Sequence, residues 1–103
     1  MWAQLIKMHM APGQDAELPG MFDQLRAVEQ TGSGLLQTIV MQDQKDPSQA
    51  YVLVVFESEE HARAREADPV RQEAMKATQA SMGEVFAAPP EFVDLTVVAN
   101  AVT

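Results

Sequence analysis

The chain contains no cysteine, so disulfides, thiolate nucleophiles and zinc–thiolate sites are excluded from the outset. Basic residues are scarce: seven Lys and Arg stand against fifteen Asp and Glu, for a formal net charge of −8. The seven never form a run, and a nucleic-acid surface needs clustered Lys and Arg to release counterions from phosphates. Nucleic acid and anionic membranes are therefore not expected as partners. No segment approaches the roughly 20 consecutive apolar residues of a membrane span. The opening MWAQLIKMHMAPGQ also lacks the unbroken apolar core of a signal peptide, which makes the cytoplasm the expected location. There is no Gly-rich phosphate loop either. Gly32-Ser33-Gly34 follows an expected helix and precedes an expected strand, the reverse of the nucleotide-binding order.

What is present is a globular composition, 47% hydrophobic and 21% charged over 103 residues. That length suits one domain, residues 1–103, with an adequate but not generous core. Trp2–Met10 alternates, with Trp2, Gln4, Ile6, Met8 and Met10 on one face and Leu5, Lys7 and His9 on the other. This predicts a strand closed by the turn APGQ. Leu18, Met21, Phe22, Leu25 and Val28 recur at helical spacing, with Asp15 as the expected cap and Pro19 tolerated in the first turn. After TGSG, Leu35–Gln42 reads as a second strand and DQKDPSQ as a turn. Tyr51–Phe56, YVLVVF, is apolar on both faces and predicts a strand buried from two sides. Ser58 is expected to cap a helix with Glu59 and Glu60 in its first turn. Asp68-Pro69 stops that helix and starts another, expected to run to about Ala87. APP breaks it, and Phe92–Ala99 is the expected last strand.

The order β-α-β-β-α-β predicts an α+β, ferredoxin-like fold, with a four-stranded antiparallel sheet and its first and third strands central. Two helices cover only one face of such a sheet. The other face presents either Tyr51, Leu53 and Val55 or Val52, Val54 and Phe56, and an apolar face of that size is not left in water. A homodimer joined through its sheet faces follows.

The stretch FESEEHARAREADPVRQEAM, residues 56–75, sets a histidine and three arginines among carboxylates. Glu59–Arg63 and Glu60–Arg63 fall at i,i+4 and i,i+3, the spacing of exposed helical ion pairs worth only a few tenths of a kcal/mol. A metal would need carboxylates converging on His61. Glu57 lies on the strand side of the cap, and Arg63 and Arg65 would repel a cation. The stretch reads as a solvated helix face. His9 has no nucleophile or carboxylate visible beside it, so it reads as a surface or interface residue. Met8, Met10, Met21, Met41, Met75 and Met82 are expected to point inward, as core filling or as the soft wall of a pocket for a flat apolar ligand.

Three segments carry a resemblance: KMHMAPGQDAELPGMFDQLRAVEQTGSGLLQTIV, YVLVVFESEEHARAREADPVRQEA and EFVDLTVV. Together they make nearly the whole chain similar to the antibiotic biosynthesis monooxygenase (ABM) family. The more specific parts are the Pro-Gly before the first helix, GSGLL leading into strand two, and the Phe-Glu-Ser-Glu-Glu and Asp-Pro junctions. The resemblance implies a dimeric α/β barrel that holds its ligand between sheet and helices. It also implies oxidation of aromatic or quinol-like molecules by molecular oxygen without a metal or organic cofactor, the substrate supplying the electrons. The chain departs from the family in having Phe56 where many members carry Trp, Arg65 where they carry His, and Val70 where a second His follows the proline. Relatives that degrade haem carry Asn, Trp and an iron-ligating His where this chain has Ile6, Arg65 and Met75, which argues against haem.

On this resemblance Gln4 and Arg65 are the candidate catalytic residues, orienting the substrate and stabilising a phenolate or enolate. Trp2, Ile6, Met8, Phe22, Phe56, Met75 and Phe86 are the candidate substrate-binding residues, and Tyr51 faces either ligand or dimer. The expected activity is a cofactor-independent monooxygenase on a small aromatic metabolite. Its rival is a non-catalytic binder of a small apolar ligand, and an isomerase or lyase would need an acid–base pair that the sequence does not display.

Overall fold

The structure, a computed structural model, describes residues 1–27, 29, 32–82 and 85–101, without the side chains of Leu25 and residues 77–82. The stripe positions Leu25 and Val28 and the side chain of Met82 lie outside this description. The elements are β1 Trp2–His9, α1 Leu18–Ala27, β2 Leu35–Gln42, β3 Gln49–Phe56, α2 Glu59–Ala67, α3 Pro69–Met82 and β4 Glu91–Thr96. The strands form one antiparallel sheet in the order β2-β3-β1-β4, so the first and third strands are central, as their apolar pattern requires.

Register decides which residues share a face. Gln4 stands opposite Val54 and Asp94, Ile6 opposite Val52 and Phe92, and Met8 opposite Ala50. This face holds the core: Trp2, Met8, Ala50, Val52, Val54 and Phe56 pack with Leu18 and Met21 of α1 and Ala62 of α2. The opposite face carries Leu5, Tyr51, Leu53, Val55 and Val93, all half-buried, and Leu95, exposed. Met41 belongs to it too. Expected inward, it pairs with Tyr51 and is 40% exposed.

Local chemistry explains the boundaries. The Ser58 hydroxyl accepts from the His61 N–H and starts α2. Asp68 ends α2 and turns its carboxylate to accept the Val70 N–H, so Pro69 opens α3 where its missing donor costs nothing. In the β2–β3 turn the Asp43 carboxylate accepts from Lys45 and Asp46, and the Asp46 carboxylate from Ser48.

Four expectations about elements are corrected. Asp15 does not cap α1 but opens a single 3₁₀ turn, Asp15–Glu17, ahead of it. α3 ends at Met82, short of Ala87, because the following segment pairs with the end of β1. Phe86 bridges Met10, Ala11 N–H donates to the Val85 carbonyl (2.7 Å), and Ala87 N–H donates to His9 (2.9 Å). Valine and phenylalanine favour such extended pairing, and Pro89-Pro90 forbids further helix. The last strand begins at Glu91 and stops at Thr96, where its pairing with Trp2 ends. β3 begins at Gln49, two residues earlier than expected, because β1 is long enough to pair His9 with it.

Candidate functional site

Between the helices and the core-side face of the sheet lies a cleft of about 1110 Å³. Its walls come from alternate residues of the central strands, Ile6, Met8, Val52 and Val54, and from the apolar stripe of α1, Leu18, Met21 and Phe22. Met75 of α3 and Phe86, held by its bridge to Met10, close further sides. An extra residue in β2, between Leu35 and Gln37, bulges the strand and puts Leu36 on the cleft, 51% exposed. Phe92 on β4 also lines it and is 59% exposed. A cleft of this size with predominantly apolar walls is the common form of a small-molecule site.

Of the residues singled out from the sequence, Gln4, Ile6, Met8, Phe22, Arg65, Met75 and Phe86 all reach this cleft. Trp2 and Phe56 do not. Both are buried, with ring centroids 6.1 Å apart, and they support the sheet end of the site from behind instead of lining it.

The two polar candidates are already engaged. Gln4 donates its amide to Asp94 at 3.0 Å, and Asp94 also receives Arg63 at 2.8 Å. The Gln4 amide first, and the Arg63 guanidinium second, hold the Asp94 carboxyl below its usual range. Arg63 in turn lies 5.2 Å from the Trp2 ring centroid and bonds Glu59 and Glu66, not the expected Glu60. Arg65 turns inward, with its guanidinium 5.4 Å from the Phe56 ring centroid. Its Nε donates to both Glu29 oxygens at 2.9 Å, and its terminal nitrogen donates to one of them at 2.6 Å. With side chains only 16% and 18% exposed, this pair is far better shielded than the other ion pairs among the described residues.

A smaller cavity of about 230 Å³ adjoins the cleft, and Glu29, Arg65 and Arg71 line both. Burial pushes the Glu29 carboxyl up, but hydrogen bonds from Arg65 and Ser33 and the charges of Arg65 and Arg71 outweigh it and hold the group below its usual range. Burial pushes the Arg71 guanidinium down, and the neighbouring charge of Arg65 adds to this. Sequence reasoning passed over both Glu29 and Arg71. The available signal was an Arg at the start of a helix whose i+4 neighbour is the inward Met75, the spacing that places both on one face.

The histidines occupy other places. His61 meets the Ser58 hydroxyl through Nδ1 at 2.6 Å and Glu57 through Nε2 at 3.4 Å. The two were not expected to share a face, but the cap turns Glu57 back over the first turn. The contacts run in the order Ser–His–Glu, yet His61 and Glu57 are about half exposed, and the Ser58 oxygen is occupied as the helix cap. His9 is exposed at the end of β1 and meets the Gln49 amide across the ladder.

No curated protein sequence matches the chain. A solved structure from Chloroflexus aurantiacus J-10-fl, provisionally named an antibiotic biosynthesis monooxygenase, is 26% identical, with 99% of this chain and 98% of that one covered and a TM-score of 0.69. A protein of unknown function from Nitrosomonas europaea shares the fold at 20% identity, with 99% and 93% covered and a TM-score of 0.72. A third, from Bordetella bronchiseptica and again provisionally named a monooxygenase of this kind, has 20% identity, coverage of 95% and 97%, and a TM-score of 0.73. The model of the family described as antibiotic biosynthesis monooxygenase matches residues 1–77, from β1 through the buried Met75 of α3. The chain belongs to the antibiotic biosynthesis monooxygenase family.

Proposed function

We propose that this protein is a cofactor-independent monooxygenase that binds a small aromatic or quinol-like molecule in the cleft and exposes it to molecular oxygen. The observation that carries this reading is the composition of the cleft, walls of Ile6, Met8, Met21, Phe22 and Met75 meeting the Arg65 guanidinium on one side. A flat molecule burying about 200 Å² of apolar surface there gains roughly 5 kcal/mol before the costs of association. The chemistry then belongs to the substrate. An activated methylene or phenol loses a proton to solvent, and the resulting anion gives one electron to O₂. The radical and superoxide join as a peroxide, which loses water and leaves a carbonyl. One oxygen atom ends in the product and one in water, and all the electrons come from the substrate. Arg65 favours the anion by its charge. Gln4, anchored on Asp94, orients the ring, while Trp2 and Phe56 hold the sheet end of the site rigid.

The assembly that fits this reading is a homodimer through the open sheet face, whose row of Leu5, Tyr51, Leu53 and Val55 continues to the exposed Met41 and Leu95. One observation favours a second reading, a non-catalytic binder: Gln4 and Arg65 both already have protein partners. Oxygen uptake by metal-free protein over a panel of hydroquinones and anthrones separates the two. Protein-dependent uptake that falls in Gln4→Ala or Arg65→Ala supports the enzyme. Uptake no greater than autoxidation, with ligand binding retained, supports the binder.

A further inference from the structure

Arg71 stands on the cleft wall with its Nε buried and without a hydrogen bond, and it has no ion-pair partner among the described residues. The carboxylates around it are bonded to other groups. Three acidic groups act on it through charge: Glu29, Glu66 and Asp68. A carboxylate offers about four acceptor positions. Glu29 already accepts three hydrogen bonds from Arg65 and one from Ser33, so it is saturated. Glu66 bonds Arg63 and Asp68 accepts the Val70 N–H, and neither is hydrogen-bonded to Arg71. A half-buried guanidinium with an unpartnered buried Nε and no ion pair among the described residues is an unmet electrostatic demand.

The wider charge pattern agrees. The chain carries a net charge of −8, yet three arginines and two glutamates line the cleft. Local excess of one sign inside a concave, low-dielectric wall concentrates ligands of the other sign. Met75, four residues after Arg71 on the same helix, continues the wall with apolar surface.

We infer that the ligand of this cleft is a flat apolar molecule bearing a carboxylate, and that the Arg71 guanidinium receives that carboxylate while the apolar body lies along Met75 toward the sheet. The inference rests on the reading of the cleft as a ligand site. It names the substrate class, an aromatic acid, which the oxygen chemistry alone does not require. A guanidinium fork matches the two oxygens of a carboxylate, whereas a phenolate would engage half of it.

The test is equilibrium binding by calorimetry of 2-naphthoate and its neutral isostere 2-naphthamide to the full chain. The expected result is a preference for the naphthoate of about tenfold or more, the scale of one charge-assisted contact. Arg71→Gln abolishes the preference, Arg71→Lys keeps part of it, and Lys76→Gln, outside the cleft, leaves it intact. The Arg71→Lys and Lys76→Gln proteins keep the test decisive where Arg71→Gln fails to fold. Equal binding of the two probes, no binding of naphthoate, or a full preference surviving in Arg71→Gln overturns the inference. Oxygen uptake distinguishes this failure from failure of the monooxygenase reading. A carboxylate preference without uptake removes the enzyme and keeps the acid site. Uptake on quinols together with equal binding of the two naphthalene probes removes the acid site and keeps the enzyme.

Discussion

Replacing Glu29 with glutamine keeps its shape and removes the charge that holds Arg65 over Phe56. Exposed ion pairs contribute about 0–1 kcal/mol, while removing one partner of a fully buried pair costs about 3–5 kcal/mol. With 16% and 18% of the two side chains exposed, Arg65–Glu29 lies between these limits. The variant also leaves Arg71 beside an unneutralised Arg65. A loss of about 2 kcal/mol is expected. In urea, where a chain of this size loses about 1–3 kcal/mol per molar, that lowers the midpoint by about 1 M. Trp2 is the sole tryptophan and is 7% exposed against Phe56, so its fluorescence reports the transition. Protein concentration must be held constant, since association shifts apparent stability. The dependence on pH has a definite sign. The folded Glu29 carboxyl is held below the ordinary value of 4.5, so its contribution is complete above that value and is lost as pH falls through the depressed one. The gap between the two proteins is therefore widest at neutral pH and closes in acid. A loss under about 0.5 kcal/mol, or a gap that does not change on acidification, would refute the shielded-pair argument.

Two further perturbations probe other parts of the argument. Gly32 and Gly34 share a φ of 82°, but a Cβ on Gly32 meets open space whereas one on Gly34 sits 2.5 Å from the His61 ring. Thermal denaturation should show Gly32→Ala losing about 1 kcal/mol from backbone strain and Gly34→Ala about 1–3 kcal/mol more from crowding. His61→Ala should recover part of the extra loss, and equal losses at the two glycines would mean that the contact is not tight. Leu53→Arg places a charge in the centre of the open sheet face. Sedimentation equilibrium should find wild-type dimers and a monomeric variant, and a wild-type monomer would sink the sheet-face argument.

Much of the fold was legible because each signal was local. Period-two alternation located β1, and the helix-stopping TGSG ahead of β2 gave that strand its full range, Leu35–Gln42. Ser58 and Asp68-Pro69 act within a few residues of themselves, so their caps could be read before any packing was known. The errors came where a distant partner decided. The stretch at 85–87 leaves the helical pattern only because the end of β1 offers it hydrogen bonds. Met41 faces away from the core because the ladder partner of β2 sets its side.

The site divides in the same way. The sequence by itself determined the apolar wall, since Ile6, Met8, Phe22 and Met75 follow from strand parity and helical spacing. It also determined what the site is not built from, as a chain without cysteine has no thiolate to offer. Only the tertiary structure decided the electrostatics. Glu29 and Arg65 are 36 residues apart and meet through packing alone. Arg65 and Arg71 would lie about a third of a turn apart on one unbroken helix, and they converge on Glu29 because Asp68-Pro69 breaks that helix between them. Hydrogen-bond saturation of Glu29, and the unpartnered Nε of Arg71 near it, are properties of a three-dimensional cluster. Residue spacing encodes which face a side chain takes on its own element, but not which distant groups compete for the same lone pairs.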